Sequence, residues 1–129
     1  MDLRRLSNLH IFATHAFIKC DAHEPVVSRD VNSILSTIPN ANQVTQLSFR
    51  FDIYSRHPDS ECLEQDWVGM WDEVVRISAG KPLELFLEMS IVMAEDGLSG
   101  DELYERIKEK IEDLPNYANI CTYLWHKKR

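Results

Sequence analysis

A repeated spacing of apolar residues constrains the fold of this chain more than any other feature. Leu9, Leu47 and Leu85 are separated by equal intervals of 38 residues, and each begins a short segment with the composition of a β-strand. Apolar residues at helical spacing fill the intervals, and a third such segment leads to a fourth apolar run that ends at Trp125. The order β-α-β-α-β-α-β predicts a parallel sheet, because strands joined through helices of this length run in the same direction.

The boundaries of the elements follow from turn and capping residues. We predict four strands, at residues 8–18, 44–55, 83–91 and 117–125. The first helix is predicted to begin at Ser28, an N-cap residue, and the third at Ser99 or Asp101. Gly80 and Pro115 are expected to end the second and third helices. A single domain is predicted over residues 1–129, since the chain has neither a linker nor a low-complexity segment.

Alternation within two strands indicates how the helices are placed. Leu47, Phe49, Phe51 and Ile53 share one face of the second strand, and the third strand repeats the pattern. Helices on both faces of the sheet would bury four charges of the opposite face, each at several kcal/mol if unpaired: Arg50, Asp52, Glu84 and Glu88. We therefore predict an α/β fold with a parallel four-stranded sheet built from repeated βα units. Its helices would lie mainly on one face, as in a leucine-rich-repeat-like solenoid fragment; the alternative is a small doubly wound α/β sheet.

The second repeat also carries a family resemblance. The sequence ILSTIPNANQVTQLSF at residues 34–49 is similar to the degenerate leucine-rich repeats at the C-terminus of fungal F-box proteins. Trp71 and the sequence KPLEL at residues 81–85 are similar to the same regions, and the resemblance covers residues 3–93. It implies a repeat fold that binds another protein. The period is longer than the roughly 20–29 residues of ordinary leucine-rich repeats, and no F-box segment precedes the repeats. The resemblance therefore implies a repeat-only relative or a truncated piece, which would not recruit a ubiquitin ligase.

Charge and cysteine content narrow the classes of function. The chain has 14 Lys and Arg against 21 Asp and Glu, a net charge of −7, which argues against nucleic acid as a partner. No apolar run reaches the length of a membrane helix, so no membrane partner is predicted. Three widely spaced cysteines, an odd number, favour a reducing compartment, and we expect a cytoplasmic or nuclear protein.

Catalytic and metal-binding motifs were sought and none is predicted. His10 and His15 lie five residues apart and would face opposite sides of a strand, which disfavours a metal site. Nucleophile-elbow, phosphate-loop and dinucleotide-binding patterns are absent, so we predict that the protein is not an enzyme and carries no cofactor. Two acidic segments follow the second and third strands, at residues 59–66 and 95–102. Acids near helix N-termini usually meet the helix dipole, but a metal-dependent hydrolase using these loops is kept as an alternative.

These observations favour a non-catalytic protein–protein interaction module that binds its partner on the uncovered face of the sheet. The predicted contact residues are His10, Phe12, Arg50, Asp52, Glu84, Phe86, Glu88 and Tyr123. Phe86 is the expected anchor, since it is an aromatic residue surrounded by charges. The alternative for Phe86 is that it packs against Phe12 or Tyr54 within the fold.

Two other hypotheses stay open beside the metal-dependent hydrolase. An acidic inhibitor or immunity-type protein would bind a basic enzyme through the acids of residues 59–73. A truncated gene product would have no evolved activity at all. Self-association is also expected, because the open ends of a solenoid-like sheet expose apolar surface unless a residue such as Trp125 covers them.

Overall fold

The computed structural model describes residues 9–19, 26–55, 67–93 and 100–127. Its elements, in chain order, are β1 (Ile11–Lys19), α1 (Val26–Leu35), β2 (Gln46–Ser55), α2 (Trp67–Ser78), β3 (Glu84–Met93), α3 (Gly100–Glu112) and β4 (Cys121–His126). A short 3₁₀ turn, Tyr117–Asn119, precedes β4. Among the helices of the described ranges, none is long and apolar enough to cross a membrane.

The four strands form one parallel sheet in the order β1-β2-β3-β4, which confirms the predicted α/β fold. Each strand lies beside the strand that precedes it in the chain. Right-handed crossovers in such a sequential sheet place every helix on the same face. A doubly wound sheet needs a reversal of strand order near its centre, and this sheet has none.

The hydrophobic core lies between the three helices and one face of the sheet. Apolar side chains of β2 and β3 alternate into it, each 9% exposed or less: Leu47, Phe49, Phe51, Ile53, Leu85, Leu87, Met89 and Ile91. The helices contribute their apolar stripes to the same cluster, including Leu35 of α1, Trp71 of α2 and Ile107 of α3. Burial of Trp67 and Trp71 at 2% and 1% exposure agrees with the helical spacing of these residues.

The face assignment predicted for the first strand is wrong. Phe12, not Leu9, is the register partner of Leu47, and it is only 8% exposed in the core. Leu9 and Phe12 are three residues apart, which is an odd number. Each β1 side chain therefore points to the face opposite to the one predicted for it. Ile11 therefore points away from the helices and is 57% exposed. Phe12 is removed from the predicted contact surface.

Element boundaries also differ from their predictions, as at α1 and β4. The helix α1 begins at Val26, two residues before the predicted N-cap Ser28. The last strand begins at Cys121 and not at residue 117, because Asn116 adopts a left-handed conformation (φ 66°) that starts the 3₁₀ turn. The Trp71 indole N–H donates to the Pro115 carbonyl at 2.6 Å and its ring stacks on Tyr117 with centroids 5.7 Å apart. The turn is therefore fixed by tertiary contacts with α2.

Arg76 of α2 joins that helix to the end of α1. Its guanidinium donates to the carbonyls of Leu35 and Ile38, at 2.9 and 2.7 Å, and to the Asn40 side chain at 2.8 Å. Glu73, one turn earlier, accepts from the same guanidinium at 2.7 Å and balances its charge. The final carbonyls of a helix have no partner within the helix, and Arg76 satisfies two carbonyls at this end.

Candidate functional site

The face of the sheet that points away from the helices is the candidate functional site. Its side chains form rows across the four strands because the strands are in parallel register: Ile11, Gln46, Glu84 and Cys121; then Ala13, Ser48, Phe86 and Tyr123; then His15, Arg50, Glu88 and Trp125; then Phe17, Asp52 and Ser90. We refer to this surface as the uncovered face. Most of its side chains are exposed or half-buried, whereas Asp52 and Ser90 are buried at 7% and 1% exposure.

A network of charged and polar side chains crosses the uncovered face from β1 to β4. His15 contacts the Asp52 carboxylate through Nε2, and Arg50 lies between two acids, 3.9 Å from Asp52 Oδ1 and 3.5 Å from Glu88 Oε2. The Trp125 indole N–H donates to Glu88 Oε1 at 3.2 Å. The Arg50 Nε makes no hydrogen bond within the described part of the chain. The Arg50 pairs contribute little energy, because the Arg50 side chain is 43% exposed and ion pairs near the surface are worth about 0–1 kcal/mol.

Three aromatic rings on β3 and β4 form what we call the aromatic corner: Phe86, Tyr123 and Trp125. Phe86 and Tyr123 stack almost in parallel, with centroids 4.9 Å apart and an interplanar angle of 12°. Trp125 meets Phe86 nearly edge-on, at 6.4 Å and 76°. The stacked pair and the Trp125 ring therefore form two walls that are nearly perpendicular to each other. Tyr123 and Trp125 remain 46% and 40% exposed despite these contacts, whereas Phe86 is half-buried behind them.

Carboxylates lie on both sides of the aromatic corner along β3. Glu84 is one row before Phe86 and is exposed, and Glu88 is one row after it. The Cys121 thiol, adjacent to Glu84 in register, and the Tyr123 hydroxyl form a hydrogen bond at 3.2 Å. This hydrogen bond to Cys121, followed by the negative charges nearby, raises the pKa of Tyr123 above its usual value of 10.0. The phenol is therefore neutral across the physiological pH range.

Six of the eight predicted contact residues lie on the uncovered face: Arg50, Asp52, Glu84, Phe86, Glu88 and Tyr123. Asp52 lies on this face as predicted, but it is buried and serves as a partner of His15 and Arg50. His10 is exposed and lies just before β1. It is two residues before Phe12, which points into the core, so strand alternation places His10 on the side of the helices. Phe86 packs against Tyr123 and Trp125. The alternative prediction for this residue had named Phe12 or Tyr54 as its packing partner.

Sequence reasoning missed two residues of this site, His15 and Trp125. Trp125 was expected to cover an end of the sheet, yet it faces the same side as Tyr123 two residues earlier. The predicted outward position of Tyr123 already implied this, since residues two apart on a strand share a face. His15 was not predicted, because the face assignment predicted for β1 placed it on the side of the helices. The register of β1 with β2 turns it to the uncovered face.

Two exposed apolar side chains lie at the β1 edge of the uncovered face, near opposite ends of the strand. Ile11 and Phe17 are 57% and 67% exposed, and the ring of Phe17 contacts His15 at a centroid distance of 4.9 Å. In the described sheet, β1 and β4 each have a neighbour on one side only. Self-association through these edges stays a prediction.

Two other regions bring polar side chains together in the sequence or in the fold. A cleft of about 830 Å³ opens at the amino edge of β3 and β4, lined in part by Ser78, Lys81 and Asn119. Burial lowers the pKa of Lys81, whose ammonium is held by Asn42 Oδ1 at 2.7 Å.

The acidic segments proposed for a hydrolase lie outside the described residues except for Asp101 and Glu102. Within the described ranges, no three metal-ligating side chains are grouped together.

Comparison of this chain with protein-family models, with curated proteins and with solved structures found no match.

Proposed function

We propose that this domain is a non-catalytic protein-binding module whose contact surface is the uncovered face. The observation that carries the proposal is the exposure of Tyr123 and Trp125 beside Phe86, at 46% and 40%, at the β4 end of rows that also carry charged side chains. Tyr, Trp and Arg are the residues most enriched where binding energy concentrates in protein interfaces. This face presents all three, Arg50 on β2 and Tyr123 and Trp125 on β4.

Rigidity of the surface supports the same function. The strand residues that alternate with Phe86, namely Leu85 and Leu87, are fully buried in the core, so the backbone under the aromatic corner is fixed by packing. Side-chain order is supplied by stacking and by the network of Arg50 and Glu88. A surface that is already ordered loses little conformational entropy on binding, which favours affinity.

The leucine-rich-repeat-like interpretation is part of this proposal. Inward positions in register, Phe12, Leu47, Leu85 and Thr122, recur at intervals of 35, 38 and 37 residues. A sequential parallel sheet with one face left open is the arrangement that repeat proteins use for binding extended partners. Support for the proposal comes from this periodicity together with the placement of the helical stripes in one core.

Site-specific photo-crosslinking tests the proposed function. Two variants would carry p-benzoylphenylalanine in place of Tyr123 on the uncovered face or of Glu109, an exposed residue of α3. Each would be irradiated in extract of the source cells, and the adducts would be identified by mass spectrometry. We expect a discrete protein adduct from position 123 that is absent from position 109. Equal adducts from both positions, or none from position 123, would contradict the proposal.

A further inference from the structure

We propose that the aromatic corner binds a basic side chain, an arginine or lysine, that belongs to the partner protein. The inference rests on the proposed function and specifies the chemistry of the partner. It comes from two features of the corner, the orientation of its rings and the carboxylates on either side.

Ring geometry in the corner suits a cation. The stacked pair Phe86 and Tyr123 and the steeply tilted Trp125 form two walls, with centroid distances of 4.9 and 6.4 Å from Phe86. Cations are attracted to the faces of aromatic rings within about 6 Å of the centroid, most strongly by Trp. Two walls at 76° allow one guanidinium or ammonium group to contact both Tyr123 and Trp125.

Charge around the corner is complementary to a cation. Glu84 and Glu88 lie one row on either side of the Phe86–Tyr123 pair. Glu88 is shared with Arg50 at 3.5 Å, whereas none of the ion pairs within the described ranges involves Glu84. Glu84 and Glu88 flank the aromatic corner directly, Arg50 is already paired with Glu88, and the whole chain has a net charge of −7. An acidic partner would be repelled, and an entirely apolar one would leave Glu84 desolvated without a counter-ion.

The corner also contains its own spectroscopic reporter. The Trp125 indole N–H donates to Glu88 Oε1, so a cation that draws Glu88 towards it will shift the indole resonance. The other tryptophans of the chain, Trp67 and Trp71, are buried at 2% and 1% exposure and serve as internal references. Their indole signals should stay unchanged when a ligand binds at the corner.

Titration of ¹⁵N-labelled protein with short blocked peptides tests the proposal. The probes are acetyl-Gly-Ser-Arg-Ser-Gly-amide and the same peptide with citrulline, which keeps the shape of arginine without its charge. We expect a saturable shift of the Trp125 indole with the arginine peptide, with a Kd on the order of 1–10 mM for one engaged side chain. The citrulline peptide should bind at least about fivefold more weakly, since it loses the cation–π and carboxylate contacts.

Matched variants locate the site. Glu84→Gln and Tyr123→Ala should each weaken binding of the arginine peptide about two- to fivefold. Glu109→Gln removes the same charge from the exposed surface of α3 and should leave binding unchanged. Equal shifts with both peptides, equal effects of Glu84→Gln and Glu109→Gln, or no shift at all would overturn the inference. The proposed function fails separately, through the crosslinking result at position 123.

Discussion

At the scale of single residues, the alternation of β1 determines which side chains a partner meets. Phe12 is 8% exposed in the core, and Phe17 is 67% exposed on the uncovered face, although both are phenylalanines on one edge strand. The odd separation between them, five residues, places them on opposite faces. This contrast gives a direct test of the register.

We expect Phe12→Ala to lower the free energy of unfolding by about 3 kcal/mol, because it leaves a cavity between β1 and the helices. Phe17→Ala should change the free energy of unfolding by no more than about 0.5 kcal/mol, since the ring is largely in solvent. Urea denaturation followed by tryptophan fluorescence measures both. A larger loss for Phe17→Ala than for Phe12→Ala would show that the face assignment of β1 is reversed.

Prediction of faces from the sequence succeeded where charges mark one side of a strand. In β2 and β3, the charged residues Arg50, Glu84 and Glu88 identified the side of each strand that faces away from the core. The structure agrees with that assignment. In β1 both faces carry apolar residues, so pattern alone could not separate the face of Ile11 from that of Phe12. The register with β2, a tertiary property, decides between them.

At the scale of elements, Arg76 is the residue that fixes how α1 and α2 meet. Its guanidinium satisfies carbonyls at Leu35 and Ile38, while Glu73 provides the counter-charge at 2.7 Å. The sequence could not show this role, because the partners lie 38 to 41 residues away from Arg76 along the chain. The sequence also could not show that β4 begins only at Cys121, because the preceding turn is held by Trp71 of α2, which is distant along the chain.

Replacing Arg76 with Met should lower the free energy of unfolding by about 2 kcal/mol, because the methionine keeps the apolar stem but leaves two carbonyls without this donor. Glu73→Gln is the matched control and should cost less than about 1 kcal/mol, as its ion pair is partly exposed. Thermal and urea unfolding of both variants provide the measurement. An Arg76→Met variant as stable as the wild type would contradict the role assigned to the guanidinium.

At the scale of the whole molecule, the repeated spacing determines the strand order and the register determines the site. Sequential βα units build a sheet whose helices share one core, so the opposite face is free to carry Arg50, Glu84 and the aromatic corner. The sequence predicted the sheet and most of this surface. It did not predict the corner itself, because the packing of Trp125 against Phe86 depends on which residues of β3 and β4 pair.

The dissociation constant of the crosslinked partner tests the central claim most directly. It would be measured by calorimetry for the wild type, for Trp125→Ala and for Val68→Ala, a control in which an apolar side chain 48% exposed on α2 is truncated. We predict that Trp125→Ala raises Kd at least about tenfold, as expected for an interface anchor, while Val68→Ala stays within about twofold. Unchanged affinity for Trp125→Ala with an intact fold, or an equal loss for Val68→Ala, would contradict the assignment of the uncovered face as the binding surface.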